Sequence, residues 1–272
     1  MRYAAMTFMF KSWLSSGKMT HEAMLEGFSR AGATGVEVFD RDFVEDPGLL
    51  KRYRDVLADL NMEVAAVDVI CNLVCPDASQ KRESQDTLRR GLDICKELGT
   101  QIAHVAGHRQ MEGVTPEDGK KMIAEGFLDA ADIAREYGLT FAIEDYVPSP
   151  DLVCSAKDCV DIMELSDRTV EFVLDTGNFI AVGERADENF DLVAPHICHT
   201  HFKDFADDPG SERGFRSCDL GQGVIPNAET ARLLMDAGYS GWIALETYSR
   251  DDLNPVEAVE LELPVLRSWF GE

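Results

Sequence analysis

The chain has 272 residues, and 45% of them are hydrophobic, which is enough to bury a large core within one domain. Its formal net charge of −24 argues against nucleic acid as a partner, because phosphate backbones need a basic surface. No stretch approaches the roughly 18 apolar residues of a membrane helix, and the N-terminus lacks the pattern of a secretory signal. We therefore expect a cytoplasmic protein that binds a small molecule and neither nucleic acid nor membrane.

Strand-like and helix-like patterns alternate along the chain. Short runs rich in β-branched and aromatic residues predict eight buried parallel strands. These strands are Tyr3–Phe10, Gly35–Phe39, Met62–Ile70, Gln101–Ala106, Thr140–Asp145, Val170–Leu174, Ile197–Lys203 and Trp242–Thr247. Helical patterns follow them at Thr20–Ala31, Pro47–Leu60, Ser79–Leu98, Thr115–Gly138, Ala156–Leu165, Glu188–Ala194, Ala228–Ala237 and Pro255–Phe270.

Helix-terminal residues support these boundaries. Thr20 is a good N-cap, and Pro47 suits a first helical turn. The helix that Thr115 opens has proline at its first position, acids in its first turn and Gly138 at its end.

Strict alternation of eight strands and eight helices predicts a parallel sheet, and at this length a closed (β/α)8 TIM barrel. No linker-like segment interrupts the pattern, so we expect one domain over residues 1–272. The longest irregular segment runs from Phe205 to Pro226, after the seventh strand. It should lie on the C-terminal face, where barrel enzymes place their chemistry.

Seven cysteines, an odd number, fall in no C-x-x-C pattern. Cys71 and Cys75 have three residues between them, and most of the others lie in apolar strand or helix patterns. We expect free, mostly buried thiols in a reducing compartment rather than disulfides.

Four consecutive strands in the second half each end at a residue that can bind metal. These residues are Glu144, Asp175, His201 and Glu246. Side chains that end parallel strands and point into a barrel converge near its axis. One imidazole and three carboxylates suit a single divalent cation, which would also offset the repulsion between the carboxylates. The alternative for any single acid is a helix N-cap or a salt bridge in a loop.

The motifs around these residues resemble the xylose isomerase-like TIM-barrel superfamily of sugar isomerases and epimerases. The resemblance covers nearly the whole chain. Its most specific parts are IED at Glu144, LDTGN at Asp175, HTHFKD at His201, the glycine pair of LGQGVIP and ALET at Glu246. In epimerase-like members, residues at these four positions bind one divalent ion. The resemblance therefore implies one metal ion here, Mn²⁺ first with Mg²⁺ or Co²⁺ as alternatives, and a sugar or polyol substrate. Homo-oligomers are common in the family.

Two departures from the family pattern limit what the resemblance implies. The residue three positions after the metal-binding Asp175 is Asn178 rather than the usual histidine. Asparagine can bind a substrate oxygen but cannot carry a proton near neutral pH. The His-Pro-Gly of endonuclease IV is absent from the fourth strand, which has AHVAGH instead. A three-metal cluster and DNA cleavage are therefore not supported.

The expected chemistry is proton transfer beside a sugar carbonyl. A divalent ion withdraws electron density from the carbonyl, and a metal-stabilised enediolate follows when a carboxylate removes the neighbouring proton. We assign the acid and base roles to Glu144 and Glu246, which the resemblance places on opposite sides of the substrate. Which of them removes the proton first stays open. Both are also proposed ligands, and a metal lowers their basicity.

Further residues at or beyond the strand ends are candidates for substrate binding. They are Asn178, His104, His108, Glu37, Lys203 and Arg216, with Arg213 beside Arg216 in the long loop. Each also has a structural interpretation, as a hydrogen-bonded barrel residue, a salt-bridge partner or a solvated arginine. Phe10 and Trp13 form either an apolar wall for the sugar or part of the core.

The sequence thus predicts a divalent-metal-dependent sugar isomerase or epimerase. The nearest alternative is a lyase or dehydratase on a keto-sugar, inosose or 3-keto-glycoside, in which the same enediolate expels a β-substituent. A metal-binding subunit without catalysis of its own is the alternative from another class, and the replacement at Asn178 gives it some weight.

Overall fold

A computed structural model, which describes residues 1–248 and 253–272, contains a closed barrel of eight parallel strands. The strands are β1 (Arg2–Met6), β2 (Gly35–Phe39), β3 (Glu63–Ile70), β4 (Ile102–Ala106), β5 (Thr140–Glu144), β6 (Val170–Asp175), β7 (Ile197–Phe202) and β10 (Trp242–Leu245). Pairing of β1 with β10, with Arg2 opposite Trp242, closes the sheet. The predicted (β/α)8 TIM barrel is confirmed.

Helices connect the strands and cover the outside of the barrel. They are α1 (Lys11–Ser15), α2 (His21–Ala31), α3 (Asp40–Glu45), α4 (Pro47–Leu60), α5 (Ala78–Leu98), α6 (Pro116–Tyr137), α7 (Ala156–Leu165), α8 (Ala186–Val193), α9 (Asn227–Asp236) and α10 (Pro255–Trp269). Among residues 1–248 and 253–272, no helix combines the length and hydropathy needed to cross a bilayer.

The predicted capping residues begin and end helices as expected. The Thr20 hydroxyl accepts a hydrogen bond from the Ala23 amide at 3.2 Å, and the Thr115 hydroxyl accepts one from the Asp118 amide at 3.2 Å. Gly138 follows α6 with φ of 68°, a left-handed conformation that glycine adopts without strain.

Two sequence-based assignments were wrong. The first strand ends at Met6, because the chain turns at Thr7 into a 3₁₀ segment, and Phe10 then packs against Phe28 of α2 with ring centroids 5.5 Å apart. The segment from Phe205 to Pro226 is not wholly irregular. An antiparallel hairpin begins just before it and consists of β8 (Asp204–Asp207) and β9 (Phe215–Cys218).

All seven cysteines, each within the described residues, have free thiols as expected. Five are buried, and Cys75 and Cys198 are partly exposed. Burial raises the pKa of the Cys71 thiol to about 12, so this thiol is protonated and unreactive near neutral pH.

The barrel interior changes from apolar to polar along its axis. A small cluster at the N-terminal end contains Trp242, whose ring lies so close to Gly35 that a Cβ there would meet it at 2.6 Å. Nearer the C-terminal end, the buried inward-facing residues are ionisable. They are Glu37, Asp68, His104, Glu144, Asp175, His199 and His201. Buried charges persist in a folded protein only when they are paired or bind an ion, so this layer marks the functional end.

Candidate metal and substrate site

The four predicted metal-binding residues meet at the C-terminal end of β5, β6, β7 and β10. Nδ1 of His201 lies 3.6 Å from Oε2 of Glu144, 3.7 Å from Oδ2 of Asp175 and 3.8 Å from Oε2 of Glu246. Ligand atoms of Glu144, Asp175 and His201 lie within 4.8 Å of one another. The structure thus brings together one imidazole nitrogen and three carboxylates from four neighbouring strands.

This donor set fits a divalent cation. Within the described part of the chain, the buried Nδ1 of His201 has no hydrogen-bond partner. Burial disfavours the charged ring, but Glu37, Asp175 and Glu144 outweigh it and hold the pKa of His201 well above its usual value. A proton on Nδ1 would therefore compete with a metal ion for this nitrogen.

Lys203 places a second positive charge beside the same carboxylates. Its Nζ lies 2.7 Å from Oδ2 of Asp175 and 2.7 Å from Oε2 of Glu246. Burial would lower the pKa of Lys203, but Asp175, Glu246 and Glu144 raise it, so this side chain stays charged. The pKa of Glu246 is raised to about 7, because burial and the like charge of Asp175 outweigh the lowering effect of Lys203.

The LDTGN motif fixes the orientation of Asp175. Its Oδ1 accepts hydrogen bonds from the amides of Gly177 at 2.9 Å and Asn178 at 3.1 Å, so Oδ2 points to the metal-binding side. Gly177 is required because a Cβ there would lie 2.6 Å from Cγ of Lys203. Nδ2 of Asn178 donates to the carbonyl of Asp145 at 2.6 Å, and its Oδ1 accepts from Lys203 at 3.2 Å.

The glycine pair of LGQGVIP has a structural role. Oδ2 of Asp204 accepts hydrogen bonds from the amides of Gly221 at 2.9 Å and Gly223 at 3.0 Å. A Cβ at Gly223 would lie 2.2 Å from the carbonyl oxygen of Phe205. These glycines let the loop wrap around one carboxylate, which anchors the segment after β7 beside the site.

A cavity of about 270 Å³ is lined by three of the four predicted metal-binding residues, Glu144, His201 and Glu246. Of the predicted substrate-binding residues, His104, Asn178 and Lys203 line it, and so does Arg213 of the long loop. His104 places Nε2 3.6 Å from Oε1 of Glu144, and its Nδ1 lies 2.9 Å from Oδ1 of Asp68. The volume is slightly below the roughly 300–1,000 Å³ of pockets for drug-sized ligands, and it suits a small sugar.

Three predicted substrate-binding residues lie elsewhere. Glu37 is fully buried below the cavity, where Oε1 contacts Nε2 of His201 at 3.0 Å and Oε2 contacts Nε2 of His199 at 2.6 Å. His108 lines a neighbouring cavity. Arg216 is exposed and does not line the cavity, because alternate residues of β9 face opposite sides and Ser217 faces inward.

The apolar wall is made by residues other than the predicted pair. Phe10 is buried in the core, and the Lys18 ammonium lies 5.2 Å from the ring of Trp13, which is outside the cavity. Phe8 and Met9 line the cavity instead. Further lining residues that the sequence pattern did not single out are Met6, Phe39, Tyr146 and Phe205. Their only sequence signal is proximity to a strand end.

Known proteins resemble this chain over much of its length. Fructoselysine 3-epimerase of Escherichia coli O157:H7 is 24% identical over 178 residues, which is 64% of this chain and 62% of that enzyme. The chain thus spans less than two thirds of that relative. Inosose dehydratase of Lacticaseibacillus casei is 23% identical over 254 residues, which is 84% of this chain and 82% of that enzyme.

Among solved structures, the IOLI protein with a bound zinc atom superposes with a TM-score of 0.84. It is 19% identical, and the match covers 100% of both chains. A model of the xylose isomerase-like TIM barrel family matches residues 26–269. The chain belongs to this family.

Proposed function

We propose that the protein is a divalent-metal-dependent isomerase or epimerase of a keto-sugar. The observation that carries the proposal is that carboxylate oxygens of Glu144 and Glu246 lie 3.6 and 3.8 Å from Nδ1 of His201. Glu144 ends β5 and Glu246 follows β10, and β6 and β7 lie between these two strands. Two carboxylates that flank one cavity can remove a proton from one face of a carbon and return it to the other. The relatives named above, a sugar epimerase and a dehydratase, support this class of reaction.

Glu144, Asp175, His201 and Glu246 would hold the ion. When bound, a divalent ion supplies positive charge that polarises a substrate carbonyl and stabilises negative charge on its oxygen. Mn²⁺ is our first candidate, with Mg²⁺ or Co²⁺ next, and the zinc atom in the IOLI protein supports a divalent ion in general.

The side chains around the ion position the reacting groups. Nε2 of His104 lies 3.6 Å from Oε1 of Glu144; burial raises the pKa of Glu144, but the charges of His104 and His201 outweigh burial and lower it. Asn178 and Lys203 line the cavity and offer hydrogen-bonding groups to substrate oxygens. Phe8 and Met9 cover the carbon chain and exclude water from the opposite side. The partner of this site is a small sugar or polyol.

A dehydratase is the second candidate, and the match to inosose dehydratase over 84% of the chain favours it. Both reactions begin with removal of a proton beside a carbonyl. In the dehydratase, the electron pair left on the deprotonated carbon then expels a hydroxyl group from the β-carbon. An acid such as Glu144 or Glu246 protonates that hydroxyl group, which leaves as water. An epimerase returns the proton to carbon instead.

The decisive experiment is incubation of the metal-loaded protein with keto-sugars and inososes in D₂O. Deuterium in an isomeric sugar supports epimerisation or isomerisation, and an unsaturated product supports the dehydratase. Glu246→Gln should abolish exchange and leave the circular dichroism spectrum unchanged. Glu63→Gln, an exposed glutamate at the start of β3, is the matched control and should retain activity. Absence of exchange across the whole panel would overturn both candidates and favour a metal-binding subunit without catalysis.

A further inference from the structure

A second cavity, of about 700 Å³, lies beside the one that contains the metal-binding residues. It is bounded by the loops after β3 and β4 and by α5. The two cavities share Ile70, Tyr146 and Pro148 in their walls. The terminal group of a sugar bound in the first cavity could therefore extend into the second.

The two cavities differ in charge. The first contains three acidic residues, Glu144, Asp68 and Glu246, against two cationic ones, Lys203 and Arg213. In the second, Glu83 is the one acidic residue among the described lining residues, and Arg41 and Arg109 are both cationic. Neither guanidinium forms a salt bridge within the described part of the chain, although the charge of Arg41 lowers the pKa of the nearby Asp40 and the protein carries a net charge of −24.

The wall of the second cavity is held in place by backbone contacts. Oδ1 of Asn72 accepts hydrogen bonds from the amides of Val74 and Arg109, each at 3.1 Å, which ties the loop after β3 to the loop after β4. Gly107, also in this wall, has φ of 91°, a left-handed conformation that places Arg109 after a tight turn. The backbone of Arg109 is therefore fixed before any ligand binds.

This wall also contains polar atoms without partners. His108 is 2% exposed, and its Nδ1 accepts a hydrogen bond from the Leu73 amide at 3.4 Å, so its Nε2 carries the proton. Within the described residues, that Nε2 and the buried Oε1 of Gln80 have no hydrogen-bond partner. Burial lowers the pKa of His108 to about 3, so the ring is a neutral donor. Buried polar groups without partners are costly. An anionic oxygen of a ligand would accept a hydrogen bond from Nε2 of His108, whereas Oε1 of Gln80 needs a donor such as a ligand hydroxyl.

We propose that the second cavity is a subsite for the anionic end of an elongated substrate whose carbonyl end lies against Glu144 and Glu246. The inference rests on the proposed function for the identity of the reacting end. Arg41 and Arg109 bind the anion, which is a terminal phosphate or a terminal carboxylate. The guanidinium fork matches both groups, and hydrogen bonds between two charged groups are roughly twice as strong as neutral ones. Local positive charge is needed here because the remainder of the protein repels anions.

The test is isothermal titration of the metal-loaded protein with three ligands that differ at one terminal carbon: D-fructose, D-fructose 6-phosphate and D-fructuronate. We expect at least one anionic ligand to bind about tenfold or more tightly than D-fructose, and the tighter anion identifies the chemistry of the terminal group. Arg41→Gln with Arg109→Gln should remove that preference and leave the affinity for D-fructose unchanged.

Two controls separate the subsite from general electrostatics. Arg89→Gln, at an exposed position of α5 outside this cavity, removes one positive charge and should change anion affinity less than twofold. Glu83→Gln should preserve or strengthen anion binding. Equal affinity for all three ligands, no binding of any, or an unchanged preference in the double arginine variant would overturn the subsite. Retained anion preference without exchange of substrate hydrogen in D₂O would overturn only the proposed function.

Discussion

Nε2 of His201 lies 3.0 Å from Oε1 of Glu37, deep in the barrel, while Nδ1 of the same ring faces three carboxylates. His201 and His199 hold the pKa of Glu37 well below its usual value although the carboxylate is fully buried. A charged Glu37 accepts the Nε2 proton of His201 and orients the ring. Glu37 therefore acts through His201, as carboxylates behind metal-binding histidines commonly do.

Glu37→Gln should weaken metal binding. An amide oxygen accepts the hydrogen bond from Nε2 of His201 less strongly than a carboxylate does, which makes Nδ1 a weaker metal ligand. We therefore expect about a 10–100-fold loss of Mn²⁺ affinity. Isothermal titration with Mn²⁺ measures the change, and circular dichroism checks the fold. Glu63→Gln is the matched control on an exposed strand end. Equal Mn²⁺ affinity in Glu37→Gln and the unmodified protein would mean that Glu37 has no role in orienting the ligand.

Asp175 combines two roles that two substitutions separate. Asp175→Asn removes the negative charge but keeps an oxygen that accepts from the amides of Gly177 and Asn178, whereas Asp175→Ala removes both. Both variants should lose Mn²⁺ binding. The alanine variant should be less stable than the asparagine variant by about 1–3 kcal/mol, the cost of leaving buried amides without an acceptor. Urea unfolding in the presence of EDTA measures this difference. Equal stability of the two variants would show that the turn does not depend on Asp175.

The positions of the four predicted metal-binding residues could be predicted because each ends a hydrophobic run that forms a parallel strand. The C-terminal ends of the strands in a closed parallel barrel lie on one face. No knowledge of the loops was therefore needed to predict that these side chains lie near one another, namely Glu144, Asp175, His201 and Glu246. The assignment of these residues as ligands remains a prediction that metal titration must test.

Side chains beyond the strand ends could not be placed from sequence, because their direction depends on backbone turns. Arg216 lies on the outward side of a hairpin whose register was not evident, and Ser217 takes the inward position. Phe10 is in the core and Phe8 lines the cavity, because the chain leaves β1 at Thr7. Tertiary packing sets the direction of each of these side chains. The repeat of hydrophobic residues every two or 3.6 positions in the sequence does not encode that direction.

Lys203→Met should change metal affinity and stability in opposite directions. The ammonium group neutralises Asp175 and Glu246 at 2.7 Å, so its removal leaves these carboxylates repelling each other in the metal-free protein. We expect the metal-free variant to lose about 3–5 kcal/mol of unfolding free energy, as other broken buried ion pairs do. Mn²⁺ should bind about tenfold or more tightly, because a competing positive charge is gone. Lys157→Met, at an exposed lysine of α7, is the control for both measurements. Weaker Mn²⁺ binding in Lys203→Met would contradict this electrostatic account.

Asp40 should make the stability of the protein fall as the pH rises. This residue is 3% exposed, and burial raises its pKa to about 6, although its Oδ1 accepts a hydrogen bond from the Ile70 amide at 3.2 Å. An aspartate in the unfolded chain has a pKa of about 3.9, so the folded protein binds more protons between roughly pH 4 and 6 and loses stability across that range. Asp40→Asn keeps an acceptor for Ile70 and should raise the unfolding free energy by about 1–3 kcal/mol at pH 8, with little effect at pH 4. Urea unfolding at both pH values tests this against the exposed control Asp59→Asn. A gain of equal size at pH 4 and pH 8 would show that the buried charge is not its source.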